Sequence, residues 1–158
     1  MKKKEVLGYV LRFALVHVLT YTAIGILFMC LQNYAGVFAT SKHFANYRPT
    51  DSPIVRAAPL LQFLRGSFFA LILSPFYQRI VESKRGWLML FGVLWGFTLI
   101  GSVSAAAGSI EGMIYTNATL AEHLIGTPEV TVQMLLFSVL FFLWERKVHN
   151  KRINREQV

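Results

Sequence analysis

Apolar residues in this chain come in long unbroken runs, and the polar residues collect between them. The runs are Val6 to about Leu31, Ala57 to Val81, Trp87 to about Ala107, and Pro128 to about Trp144. None alternates with the period of two that marks a half-buried strand. A helix that crosses a hydrocarbon core of about 30 Å needs about 20 predominantly apolar residues. The pattern therefore predicts an all-α integral membrane protein with four transmembrane helices over 6–31, 57–81, 87–107 and 128–144. These form one domain over residues 1–158, with loops at 32–56 and 108–127 and a polar tail at 145–158. Met1-Lys2-Lys3-Lys4 before the first run has the outline of a signal peptide. The run is much longer than the roughly 7–15-residue core of such a peptide, so it is expected to be a membrane helix.

Punctuation inside and between the runs refines this picture. Pro59 suits a first helical turn, and Ser74-Pro75 predicts a kink in the second span because proline removes a backbone hydrogen bond. Thr127-Pro128-Glu129 reads as a helix start, with Thr127 as N-cap. Gly92 and Gly96 have the small-residue spacing that lets helix backbones approach closely. Between the third and fourth spans a short amphipathic or re-entrant segment is expected. The loop at 32–56 carries Phe38, Phe44 and Tyr47, which suit an aromatic belt, a short interfacial helix or a lid over the bundle.

Composition agrees with a membrane class. Hydrophobic residues make up 54% of the chain, high for a water-soluble domain. The formal charge of +8 sits at the ends of apolar runs, so it reports membrane topology and gives no reason to expect nucleic acid. With four spans both termini share a side with the turn after span two. That side holds Lys2, Lys3, Lys4, Arg79, Lys84, Arg85, Arg146, Lys147, Lys151, Arg152 and Arg155, whereas the other holds Lys42, Arg48 and Arg56. The positive-inside rule then predicts cytoplasmic termini and, for a bacterial-type cell, a multi-pass inner-membrane protein. One cysteine, Cys30, rules out an intrachain disulfide, and no metal site or cofactor motif is expected.

Candidate chemistry gathers towards the loop side. Gln62 and Arg65 are spaced i, i+3 and share a helix face in the second span. Arg12 lies near the positive end of the first span, where it is expected to snorkel towards headgroups. His17 is deeper, with Thr20 and Tyr21 on its face. Glu111, Glu122 and His123 lie in the loop after span three, and Glu129 and Gln133 open the fourth helix. A buried guanidinium needs water, a carboxylate or an anionic ligand, so Arg65 is expected to pair with Glu111 or Glu129 or to face a ligand. His17, Gln62, Arg65, Glu111, Glu122, His123, Glu129 and Gln133 are thus the candidate ligand-binding residues. Three functions fit: an oligomeric transport or channel-type subunit handling a small or anionic ligand; an enzyme acting on a lipid or lipid-linked substrate; or an accessory or scaffold subunit. The partners implied are the bilayer, a lipid or anionic small molecule, and a second copy or another membrane protein.

Overall fold

The computed structural model describes residues 3–44, 47–49 and 51–156, and among these it is all-helical. Helix α1 spans Lys3–Leu31 and α2 Tyr34–Thr40, followed by a single 3₁₀ turn at Lys42–Phe44. Helix α3 (Pro53–Arg56) leads into α4 (Ala58–Leu73), and α5 (Tyr77–Glu82) follows after a 3₁₀ turn at Ser74–Phe76. Then come α6 (Gly86–Trp95), a π turn at Gly96–Ile100, α7 (Ile110–Tyr115), α8 (Leu120–Ile125) and α9 (Thr127–Glu156). Among the described residues three helical stretches are long and apolar enough to cross a membrane: Lys4–Leu31, Ala58–Glu82 and Leu120–Arg155. A fourth apolar helix, Gly86–Ile100, is shorter.

The bundle is assembled on one stripe of each long helix. On α1 the buried positions are Tyr9, Phe13, Val16, His17, Thr20 and Ile24, which recur at helical spacing. On α9 they are Met134, Phe137, Ser138, Phe141, Phe142 and Glu145. Between them Phe13 meets Phe137 at 4.7 Å and Phe141 at 4.8 Å, centroid to centroid, while Phe137 and Phe141 stack at 5.6 Å. These rings fill the centre. The reverse faces stay apolar: Leu60 is 76% and Leu64 67% exposed on α4, and Leu7 60% on α1. Such a surface would be a large exposed patch in water and is the ordinary surface of a helix in lipid.

Helix α4 runs antiparallel to α1 and approaches it at Gly66. A Cβ there would lie 3.0 Å from the Ala14 Cα and 3.1 Å from His17 Cδ2, so only glycine fits without movement. The close approach that the small-residue spacing predicts at Gly92 and Gly96 is found instead at Gly66, and at Gly86, where a Cβ would lie 2.7 Å from Phe142 Cε2. A Cβ on either Gly92 or Gly96 meets nothing within 4 Å.

Three other expectations are revised. The third apolar run stops being helical at Ile100, where the wider turn ends against Gly101, and residues 101–109 form turns. The segment at 108–127, expected to be short and amphipathic or re-entrant, consists of two short helices, α7 and α8, preceded by Gly108, whose φ of 89° suits a residue without Cβ. The tail expected after Trp144 is a continuation of α9, which runs on to Glu156. Helix α9 does begin at Thr127, but the Thr127 hydroxyl donates to the His123 carbonyl at 3.0 Å instead of capping its own helix. The break at Pro75 is found as expected, as the 3₁₀ turn between α4 and α5.

Candidate functional site

Polar side chains in the bundle form three groups at three levels. At the end shared by the described termini, Glu145 is fully buried on α9. Arg12 grips it with both arms of the guanidinium: Nε donates to Oε1, and Nη2 to Oε2 at 3.2 Å. The Tyr77 hydroxyl donates to the same Oε2 at 3.1 Å, just past the Pro75 break. Tyr9 walls the cluster, its ring 5.2 Å from Tyr77 and 5.6 Å from Phe141. One turn or two further out, Arg152 pairs with Glu5 at 3.4 Å and His149 approaches Glu82 at 3.8 Å. Arg12 therefore does not snorkel alone; its charge is matched inside the bundle.

That group was missed by reasoning from the sequence, though α9 carries a signal for it. Glu145 follows Ser138 by seven residues and Phe141 by four, so it continues the stripe that buries them. A carboxylate on the buried register of an apolar helix needs a cation, and Arg12, next to Phe13, can reach it from α1.

Midway along α1, His17 is buried and its Nε2 lies 3.1 Å from Gln62 Oε1. Gly66 makes this possible by bringing α4 against the His17 ring one turn below Gln62. Phe69 completes the step: its ring is edge-on to His17 at 6.2 Å and carries the Arg65 guanidinium at 5.3 Å from its centroid. His17, Gln62 and Arg65 are thus brought together, as the face-sharing of Gln62 and Arg65 suggests. Arg65 itself is exposed on the flank of the bundle. Among the described residues it has no ion pair.

The remaining candidates lie apart, in a cap at the loop end. The Tyr34 hydroxyl donates to Glu129 Oε2, tying α2 to the start of α9. Burial, then the hydrogen bond and charge of Glu129, hold the Tyr34 hydroxyl well above its ordinary pKa, so it remains a donor. Ser41 donates to Glu122 Oε1, while Glu122 Oε2 accepts the Thr119 amide at 2.8 Å in a capping box at the head of α8. His123 is buried and its Nδ1 accepts the Gly108 amide at 3.1 Å. Gln133 is buried one turn along α9 from Glu129, and Glu111 is in the first turn of α7. Beside them Tyr34, Phe38, Phe44 and Tyr47 pack ring on ring at 5.1–5.4 Å, an aromatic cluster on a segment that includes the short helix α2. Glu129 and Glu122 are each committed to local partners within this cap. The pairing of Arg65 with Glu111 or Glu129 is accordingly not found.

No known protein family, curated protein or solved structure matches the chain.

Proposed function

We propose that this chain is a transport- or channel-type membrane subunit that receives an anionic ligand on its flank, with Arg65 as counter-charge. Gln62 and His17 form the polar step behind Arg65. One observation carries the reading: Arg65 stands inside an apolar span, exposed, with an aromatic ring beneath it and, among the described residues, no carboxylate paired to it. It is the eighth residue of Ala58–Leu73, about 10 Å from the helix start at 1.5 Å per residue. An uncompensated guanidinium costs roughly 2.5–3.5 kcal/mol at the centre of a membrane helix even on the lenient insertion scale, and less towards its ends. Such a cost is retained where the charge has work to do, and an anion is what relieves it. Because aromatic rings fill the centre of the bundle, the ligand moves along the flank or between copies in an oligomer, rather than through one chain.

In the proposed topology Gly86–Ile100 completes a set of four spans, both termini are cytoplasmic, and Arg65 lies in the outer half of an inner-membrane protein. The excess of Lys and Arg on the terminal side supports this orientation. Single cysteines in a Cys30→Ser background test it. Arg48→Cys should react with an impermeant maleimide in intact cells, whereas Ser83→Cys and Asn150→Cys should react only after lysis. Labelling of Asn150→Cys in intact cells would reverse the orientation.

Anion binding is tested with purified protein in zwitterionic nanodiscs, titrated with inorganic phosphate, glycerol phosphate, octanoate and dodecyl phosphate. At least one probe should bind saturably, and Arg65→Gln should weaken it by roughly tenfold or more, the loss of one charge-assisted contact. Arg65→Lys should weaken it less, since it keeps the charge and loses the fork. Equal binding by wild type and Arg65→Gln for every probe would remove the proposal.

A further inference from the structure

Arg65 borders a cleft that the polar step does not use. Helices α4 and α6 both lean on the centre of the bundle, yet a gap of about 230 Å³ separates them on the outside. Phe69, Ile72 and Leu73 form one wall, and Val93, Leu94 and Phe97 the other. Thr98 also lines it, but its hydroxyl donates to the Leu94 carbonyl at 2.6 Å, so the cleft is apolar in effect. The other clefts differ in character. One beside the aromatic cluster includes Asp51, and those at the terminal end are bounded by Arg79 with Glu82, by Lys151 with Arg155, or by Val6 with Tyr77 and Gln78.

Two further features belong to this cleft. Its α6 wall runs into the π turn at Gly96–Ile100, which contributes Phe97 and Thr98. Wide turns of this kind are rare and are frequently found at functional sites. Its α4 wall is headed by Phe69, the ring beneath the Arg65 guanidinium. Reading along α4 from the loop end, the order is therefore cation, aromatic ring, apolar slot. A small water-soluble anion would use the first of these and leave the slot empty.

Resting on the anion-binding reading above, we infer that the ligand is an anionic membrane lipid. Its phosphate sits at Arg65, and one acyl chain lies in the α4–α6 cleft. Charge complementarity selects the headgroup: the cation heads the slot, and among the described residues no carboxylate pairs with it. The slot opens sideways, so a lipid enters from the bilayer without passing through water. Gln62, one turn nearer the loop end, is placed to hydrogen-bond a headgroup with the amide nitrogen that its bond to His17 leaves available.

Native mass spectrometry of protein extracted from vesicles of equal phosphatidylglycerol and phosphatidylcholine tests this. The wild type should retain phosphatidylglycerol in preference. Arg65→Gln should lower that preference by roughly tenfold, the effect of losing one charge-assisted contact. Filling the slot with Val93→Trp, or from the other wall with Ile72→Trp, should remove the retained lipid while Arg65 stays in place. Both variants are used so that one failing to fold does not decide the matter. Each is admitted only if monodisperse and melting close to wild type. Retention of phosphatidylglycerol by both filled variants would overturn the lipid assignment. So would an interchain crosslink across the slot, which would mean that a second copy occupies it. If glycerol phosphate binds in an Arg65-dependent way and the filled variants bind it unchanged, the lipid inference fails and the anion reading stands. If neither lipid nor soluble anion responds to Arg65→Gln, both fail together.

Discussion

Arg12 and Arg65 stand at similar depths in apolar helices, about 14 Å from the start of α1 and about 10 Å from the start of α4. Arg12 turns inward, where the buried Glu145 carboxylate accepts two hydrogen bonds from it and a third from the Tyr77 hydroxyl. Arg65 turns outward to rest on an aromatic ring at the mouth of an apolar cleft. The residue type is the same and so is the cost of bringing it into the bilayer. What differs is the side of the helix. Arg12 adjoins the buried stripe of α1, beside Phe13, whereas Arg65 precedes Gly66 on a helix whose outer face is otherwise leucine and phenylalanine. One charge is matched inside the bundle, and the other stands on its flank.

The difference is broken most forcefully at the inward arginine. Arg12→Leu leaves Glu145 buried without its cation and should cost roughly 3–5 kcal/mol, read as denaturant unfolding in detergent. Arg12→Leu combined with Glu145→Leu should recover most of that loss, because two apolar side chains of similar size replace the pair. A double variant as unstable as the single would show that the cluster is not an ion pair in energetic terms. Tyr77→Phe should come next, at roughly 1–2 kcal/mol, since Glu145 loses one of three donors but keeps Arg12. Smallest is Arg65→Gln, within about 1 kcal/mol of wild type, because only a cation–π contact with Phe69 is given up. A loss at Arg65 as large as that at Arg12 would place its charge in the core network and erase the contrast.

Legibility in the sequence follows the same line. Positions that depend on one helix at a time could be read: the Pro75 break and the shared face of Gln62 and Arg65. Pairings between distant helices could not. Arg12 and Glu145 are 133 residues apart, and Glu145 is followed by Arg146 and Lys147, a cluster that reads as a solvated end. Only its register with Ser138 and Phe141 marks it as internal. Gly66 and Gly92 likewise look alike as letters; which one meets a neighbour depends on the direction each helix presents. The end of the third helix at Ile100 was hidden because Ser102 to Ala107 are small and apolar enough to continue it. The π turn and Gly101 end it instead.

The span between Arg12 and Glu145 also sets an order of events during synthesis. Ribosomes add roughly 5–20 residues per second, so the counter-charge for Arg12 is made on the order of 10 s after Arg12 itself. Throughout that interval the first helix carries a cation with no carboxylate inside the bilayer. The contacts of Arg12 and Tyr77 with Glu145 cannot form in that interval, so this level of the bundle closes only after residue 145 has been made. A chain released before residue 145 would carry Arg12 without its buried carboxylate, which distinguishes an incomplete product from a finished one.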